Sequence, residues 1–100
     1  MGEAMINIAN DFSRAPAGRY IDDGPNSGQR FRDQFLVPAL SAHQHITLEM
    51  DGTRGYGSSF LEEAFGGLVR LGYAADVLLK KFAFRTNDPS LVSEIHSYWR

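Results

Sequence analysis

The chain has 100 residues, 43% of them hydrophobic, no cysteine and a formal net charge of −2. That length and apolar content predict one domain over residues 1–100 with one core, and they exclude an intrinsically disordered chain. The missing cysteines exclude disulfides, thiolate metal sites and Cys catalysis, and they fit the cytoplasm; the slightly negative charge argues against nucleic acid.

At the N-terminus, Met1-Gly2-Glu3-Ala4 lacks the basic and long apolar regions of a signal peptide, and Ile6 stands where a myristoylation motif needs Ser or Thr. No apolar run approaches the ~20 residues needed to span a bilayer, so no membrane partner is expected. Met5 to Ala9 alternates as a short strand does. A turn-rich stretch follows to Gly18, Arg19-Tyr20-Ile21 reads as a second short strand, and Asp22-Asp23-Gly24-Pro25-Asn26 is a breaker cluster.

Ser27 is a good N-cap for a helix running to about Ala42. Phe31, Phe35, Ala39 and Ala42 share one face at helical spacing, with Leu36 and Leu40 beside it. Pro38 lies inside this pattern and removes the bond to the Gln34 carbonyl, which predicts a kink or break. His45 to Asp51 alternates over a full strand and is expected at the centre of the sheet. The Gly-rich loop Gly52-Thr53-Arg54-Gly55-Tyr56-Gly57 comes next.

A helix is expected from Ser58 or Ser59 to a C′ glycine at Gly72. Phe60, Leu61, Ala64, Phe65, Leu68, Val69 and Leu71 cover its core-facing side, and Glu62, Glu63, Gly66, Gly67 and Arg70 cover the other. Each helical glycine costs about 1 kcal/mol relative to Ala. Bare backbone on that side therefore implies a close approach, by another element of the fold or by a partner protein. At the N-terminus of the helix, free N–H groups favour an anion. A phosphate bound there, or carried on Ser58 or Ser59, fits that end; so does plain capping, with Ser59 and Glu62 as a capping box. The turn has no Lys and lacks Walker spacing, so it is not a P-loop.

Ala74 to Lys81 reads as a short helix, Phe82 to Thr86 as a strand, and Asp88-Pro89 as the N-cap and first position of a last helix. Its inner stripe is Leu91, Val92, Ile95, Tyr98 and Trp99. The class is α/β: a small mixed β-sheet of about four strands covered by about three to four helices.

Other groupings carry less chemistry. His43 and His45 would point to one side of a strand, but no third metal ligand stands out. Ser58 lacks the G-x-S-x-G context of a hydrolase elbow. No catalytic constellation emerges and no cofactor or metal is expected. Arg14, Arg19, Arg30 and Arg32, with Arg54, are anion-binding candidates if they fold beside the turn; surface ion pairing is the alternative.

The strand–loop–Ser–helix order from His45 to Gly72 resembles STAS domains, the fold of anti-sigma-factor antagonists. The chain is most similar to the bacterial STAS-like domain family of unknown function. The resemblance rests on Ser27-Gly28-Gln29-Arg30-Phe31-Arg32, on Leu36-Val37-Pro38-Ala39-Leu40, and above all on Ser59-Phe60-Leu61-Glu62-Glu63-Ala64-Phe65-Gly66-Gly67-Leu68. It implies a regulatory protein-binding module whose switch surface is Gly57, Ser58, Ser59, Glu62, Glu63, Gly66, Gly67 and Arg70. It also implies phosphorylation of a serine at the helix start by an ATPase or kinase of the histidine-kinase fold. In the antagonists Asp-Ser-Ser/Thr-Gly directly follows the strand; here residues 52–57 separate Asp51 from Ser58. A homodimer is left open, and the alternative function is small-anion or nucleotide sensing at the Gly55–Ser59 turn.

Overall fold

The structure, a computed structural model, describes residues 2–100. Met1, part of the N-terminal stretch read above, lies outside the described residues. Three strands, β1 (Glu3–Asn7), β2 (His45–Glu49) and β3 (Phe82–Arg85), form one sheet in the order β1-β2-β3. Both pairings are parallel; Ile6 lies opposite Leu48, and Leu48 opposite Phe84. The His45 strand is central, as its alternation implies.

The expected mixed sheet of about four strands is thus corrected to a wholly parallel sheet of three. The missing strand is Arg19-Tyr20-Ile21. The Asp23 carboxylate accepts the backbone N–H groups of Arg19 at 3.2 Å and Tyr20 at 2.8 Å, and the short 3₁₀ turn Ile21–Asp23 follows. Those donors are therefore lost to any ladder, because an Asp side chain supplies the local alternative.

Helix α1 spans 28–42, α2 spans 58–70, α3 is Ala75–Lys81 and α4 is Pro89–Tyr98. Ser27 caps α1, its hydroxyl accepting the Arg30 N–H at 3.2 Å. Pro38 does not break α1. Instead the turn before it, Arg32–Leu36, is π-helical, with the Val37 N–H donating to the carbonyl of Arg32. A wide turn is a known way to absorb a residue that disturbs the ladder. It also re-registers the helix: Phe31 and Leu36 are fully buried, whereas Phe35 is half-buried and Ala42 exposed. Helix α2 also holds a π turn, Glu62–Gly66. It ends as expected at Gly72 (φ 107°), where the Tyr73 N–H reaches the Leu68 carbonyl and the Gly72 N–H the Val69 carbonyl, the two bonds of a Schellman motif.

The helices leave one face of the sheet open. Ile6, Ile46, Leu48 and Phe82 are buried, while the alternate residues Glu3, Met5, His45, Ala83 and Arg85 are exposed. Parallel sheets are usually covered on both faces, so this is a two-layer arrangement. The core between the layers is aromatic. Phe31 packs on Phe12, Phe35, Phe60 and Phe65, and Trp99 packs on Phe65, Phe82 and Phe84. The Trp99 indole N–H donates to the Phe65 carbonyl at 2.9 Å, which closes α4 onto the π turn of α2. No helix among the described residues is long and apolar enough to cross a membrane.

Candidate functional site

The residues singled out around α2 separate into two places. The first is the turn and the first helical turn, Gly55 to Ser59. Gly55 adopts φ 128°, a conformation that an L side chain rarely takes. The turn is held from below: the Tyr56 hydroxyl donates to the Met50 carbonyl at 2.8 Å, and the Arg54 N–H donates to the Arg14 carbonyl at 2.8 Å. Desolvation pushes the Tyr56 phenol up to about 12, so it stays a hydrogen-bond donor across the physiological range.

The expected capping box is not formed. The N-cap is Gly57, without a side-chain hydrogen bond, and Glu62 is engaged elsewhere. Gly57, Ser58 and Ser59 are all exposed. The first-turn N–H groups of α2 consequently have no side chain of the cap upon them. Arg14 and Arg54, linked through the backbone at this corner, are exposed and make no ion pair among the described residues.

The second place is an ion-pair network that draws together Arg19, Arg32, Glu62, Glu63 and Arg70. Arg32, from the π turn of α1, is bonded through Nη1 to the Glu63 carboxylate, and their side chains are only 10% and 8% exposed. Nη1 also donates to the Glu63 carbonyl at 3.3 Å, and Nε reaches Asp33 at 2.9 Å. Arg70 bridges both glutamates, at 2.6 Å to Glu62 and 3.0 Å to Glu63. Arg19 completes the group on Glu62. Burial works against the charge of Arg32, but the hydrogen bonds to Asp33 and Glu63 outweigh it and raise its pKa.

This network accounts for the bare backbone of α2. Gly66 and Gly67 are buried. A Cβ on Gly67 would lie 2.5 Å from Arg32 Nη1 and 3.1 Å from its Cδ. A Cβ on Gly66 would lie 2.8 Å from the Glu62 carboxylate and 3.5 Å from Arg70 Nη1. The close approach is made by the chain's own side chains. The two glycines differ in consequence, because Glu62 and Arg70 are free to swing and the Arg32 guanidinium is pinned inside. Gly67→Ala is expected to cost about 1–3 kcal/mol by overpacking. Gly66→Ala should stay within about 1 kcal/mol of wild type, its clash offset by the better helix propensity of Ala. Urea unfolding of the two variants checks that order.

The acid limb of stability reports the same network. Hydrogen bonding from Arg70 first, and then from Arg19, holds the Glu62 carboxyl below its ordinary 4.5. A carboxyl depressed in the folded state contributes stability that is complete above its unfolded pKa and is lost as pH falls through the folded value. Glu62→Gln should therefore be less stable than wild type at pH 7, and the difference should shrink as pH falls below 4.5. Urea melts over a descending pH series measure this, and a difference that does not shrink on acidification would contradict it.

Of the five anion-binding candidates, Arg19 and Arg32 are neutralised by glutamates, and Arg14 is exposed. Arg30 is spent on the Pro25 carbonyl at 2.8 Å and on Gln34 at 3.2 Å. Arg54 is left exposed at the turn. Asp51 does not face a serine; its carboxylate accepts the Thr86 hydroxyl at 3.1 Å and the Asn87 N–H at 3.2 Å, tying β2 to the start of α4. One contributor escaped sequence reasoning. Gly28 had a usable signal, a glycine just inside an N-cap, where it leaves room for the backbone of α2.

A family model described as a STAS-like domain of unknown function matches residues 27–91. The chain belongs to that family. The matched stretch contains α1, β2, the Gly-rich turn, α2 and β3. No curated protein and no solved structure matches the chain.

Proposed function

We propose that this STAS-like domain is a small regulatory protein-binding module whose contact surface is the Gly55–Ser59 turn, switched by phosphorylation of Ser58 or Ser59. The observation that carries the reading is the exposure of both serines on the first turn of α2, which follows a turn containing the exposed Arg54. Phosphorylation adds about −1.5 to −2 charges. At this end of a helix the dipole favours such charge by about 0.3–1 kcal/mol, and Arg54 adds to it. Glu62 and Glu63 oppose it less than their sequence positions suggest, because Arg19, Arg32 and Arg70 already neutralise them. Glu62 and the half-exposed Arg70 form the rim of the surface, while Glu63, Gly66 and Gly67 support it from inside. The partner implied by the resemblance is an ATPase or kinase of the histidine-kinase fold.

The test uses immobilised full-length protein challenged with lysate of its native host. The wild type should retain a protein of that ATPase fold, and the Ser58→Ala/Ser59→Ala variant should release it. The variant should keep the wild-type melting temperature, since neither hydroxyl caps the helix. Equal retention by both proteins would sink the reading.

A second reading uses the same atoms. The first-turn N–H groups of α2 with Arg54 and Arg14 would hold a small anion or the phosphates of a nucleotide. It predicts that inorganic phosphate or a nucleotide raises the melting temperature in a dose-dependent way. An Arg54→Ala variant should lose that response.

A further inference from the structure

The outer edge of β1 has no strand beside it among the described residues. The phase of its hydrogen bonds fixes which groups lie on that edge. The His45 N–H donates to the Gly2 carbonyl at 2.8 Å, so Gly2, Ala4 and Ile6 turn their backbone groups toward β2. Glu3, Met5 and Asn7 turn theirs outward. The Asn7 N–H is taken by the Asp11 carboxylate at 2.8 Å. The N–H and carbonyl groups of Glu3 and Met5 bond to no other group among the described residues. Both residues are exposed, Met5 at 56%. Edge strands are commonly blunted by Lys, Pro, a bulge or a covering element. Strand β1, Glu-Ala-Met-Ile-Asn, has no Lys or Pro and pairs residue for residue with β2, without a bulge.

Outward donors and acceptors on two residues, spaced two apart, match a second copy of the same strand. In an antiparallel pair with its two-fold axis at Ala4, Glu3 of each copy faces Met5 of the other. Every outward N–H and carbonyl of Glu3 and Met5 is then bonded between the copies. Glu3 stands opposite Met5 rather than opposite itself, so no like charges meet, and the small Ala4 faces its own copy across the axis. The outer edge of β3 is the competing site. The Met50 N–H donates to the Arg85 carbonyl at 2.9 Å, which turns the backbone groups of Phe82 and Phe84 outward. The equivalent pairing there, about Ala83, brings Lys81 opposite Arg85 of the second copy, and like charges directly opposite are destabilising. The charge pattern therefore selects β1. So short an edge is small beside the ~1,600 Å² of a standard interface, which makes the dimer a weak one.

We propose that two copies of this chain pair antiparallel through β1, joining their sheets edge to edge. No residue of the serine surface takes part, so the dimer and the switch stand or fall separately. The full-length protein is followed by sedimentation equilibrium up to millimolar concentration. The wild type should move from 11.1 kDa toward twice that mass. Met5→Pro removes an outward N–H and none of the bonds to β2, a position where edge strands tolerate Pro. It should raise the dissociation constant at least about tenfold and keep the melting temperature of the dilute wild type. Met5→Thr keeps the N–H, removes the exposed thioether side chain and should still dimerise. Ala4→Cys reads the register, because the chain has no cysteine of its own. Across the axis the two Cα atoms would lie about 4.5 Å apart, within disulfide reach, so oxidation should give a covalent dimer. Ala83→Cys, at a more exposed position on the other edge, should stay monomeric. A wild type that remains monomeric, a Met5→Pro variant that dimerises as the wild type does, or equal cross-linking of the two cysteine variants would each overturn the proposal. So would a Met5→Thr variant as monomeric as Met5→Pro, since the side chain and not the strand edge would then hold the copies. If Met5→Pro does not fold, the wild-type mass and the two cysteine variants decide.

Discussion

Replacing Arg32 by Met should lower unfolding free energy by about 3–5 kcal/mol, because it strands the Glu63 carboxylate inside the contact between α1 and α2. Met keeps most of the volume and all of the apolar stem, so the loss isolates the charge. Arg70 at 3.0 Å remains near Glu63, which places the expected value toward the lower end. For a domain of this size, a loss of about 3 kcal/mol corresponds to a fall in Tm of about 12–24 °C. The companion Arg32→Met/Glu63→Met variant should recover most of it, since a buried ion pair exchanged for apolar side chains of similar volume is often neutral. Urea unfolding of both variants measures the coupling. A single variant within about 0.5 kcal/mol of wild type would mean that the pair is not the clasp between the helices.

The second large effect is at Gly28, and its sign is the informative part. Gly→Ala inside a helix ordinarily stabilises by about 1 kcal/mol. Here an added Cβ would run into the Phe60 carbonyl oxygen and lie 3.0 Å from the Ala64 nitrogen and 3.1 Å from Glu63 Cβ. Those atoms belong to the backbone and stem of α2 and have no rotamer to escape into. Gly28→Ala should therefore destabilise by about 2–3 kcal/mol. Gly57→Ala, with open space around the position and φ −71°, should cost under about 1 kcal/mol. If Gly28→Ala proved neutral, α1 and α2 would not be in backbone contact.

These two residues mark where sequence reading reached its limit. Local punctuation was legible: Ser27 before α1, Gly72 after α2 and Asp88-Pro89 before α4 each act through bonds to their near neighbours. Alternation likewise placed β2 at the centre, because Ile46 and Leu48 must share one buried face. The π turns were not legible, since an apolar pattern at ordinary helical spacing does not reveal one extra residue per turn. In α1 the difference leaves Leu36 fully buried and Phe35 half-buried. The charged side of α2 was the other difficulty. Glu62, Glu63 and Arg70 with two glycines left two readings open, close approach by another element of the fold or by a partner. The fold's own Arg19 and Arg32 make that approach, which depends on tertiary structure rather than on spacing along α2. Ser58 and Ser59 are exposed and lie outside that network.

The most direct test of the switch is the intact mass of the protein isolated from its native host, with peptide mapping of any modified species. The account predicts a fraction heavier by about 80 Da, one phosphate, mapped to Ser58 or Ser59 and absent from the double-alanine variant. A chain that stays unmodified across growth conditions, or a phosphate mapped away from these two serines, would contradict it.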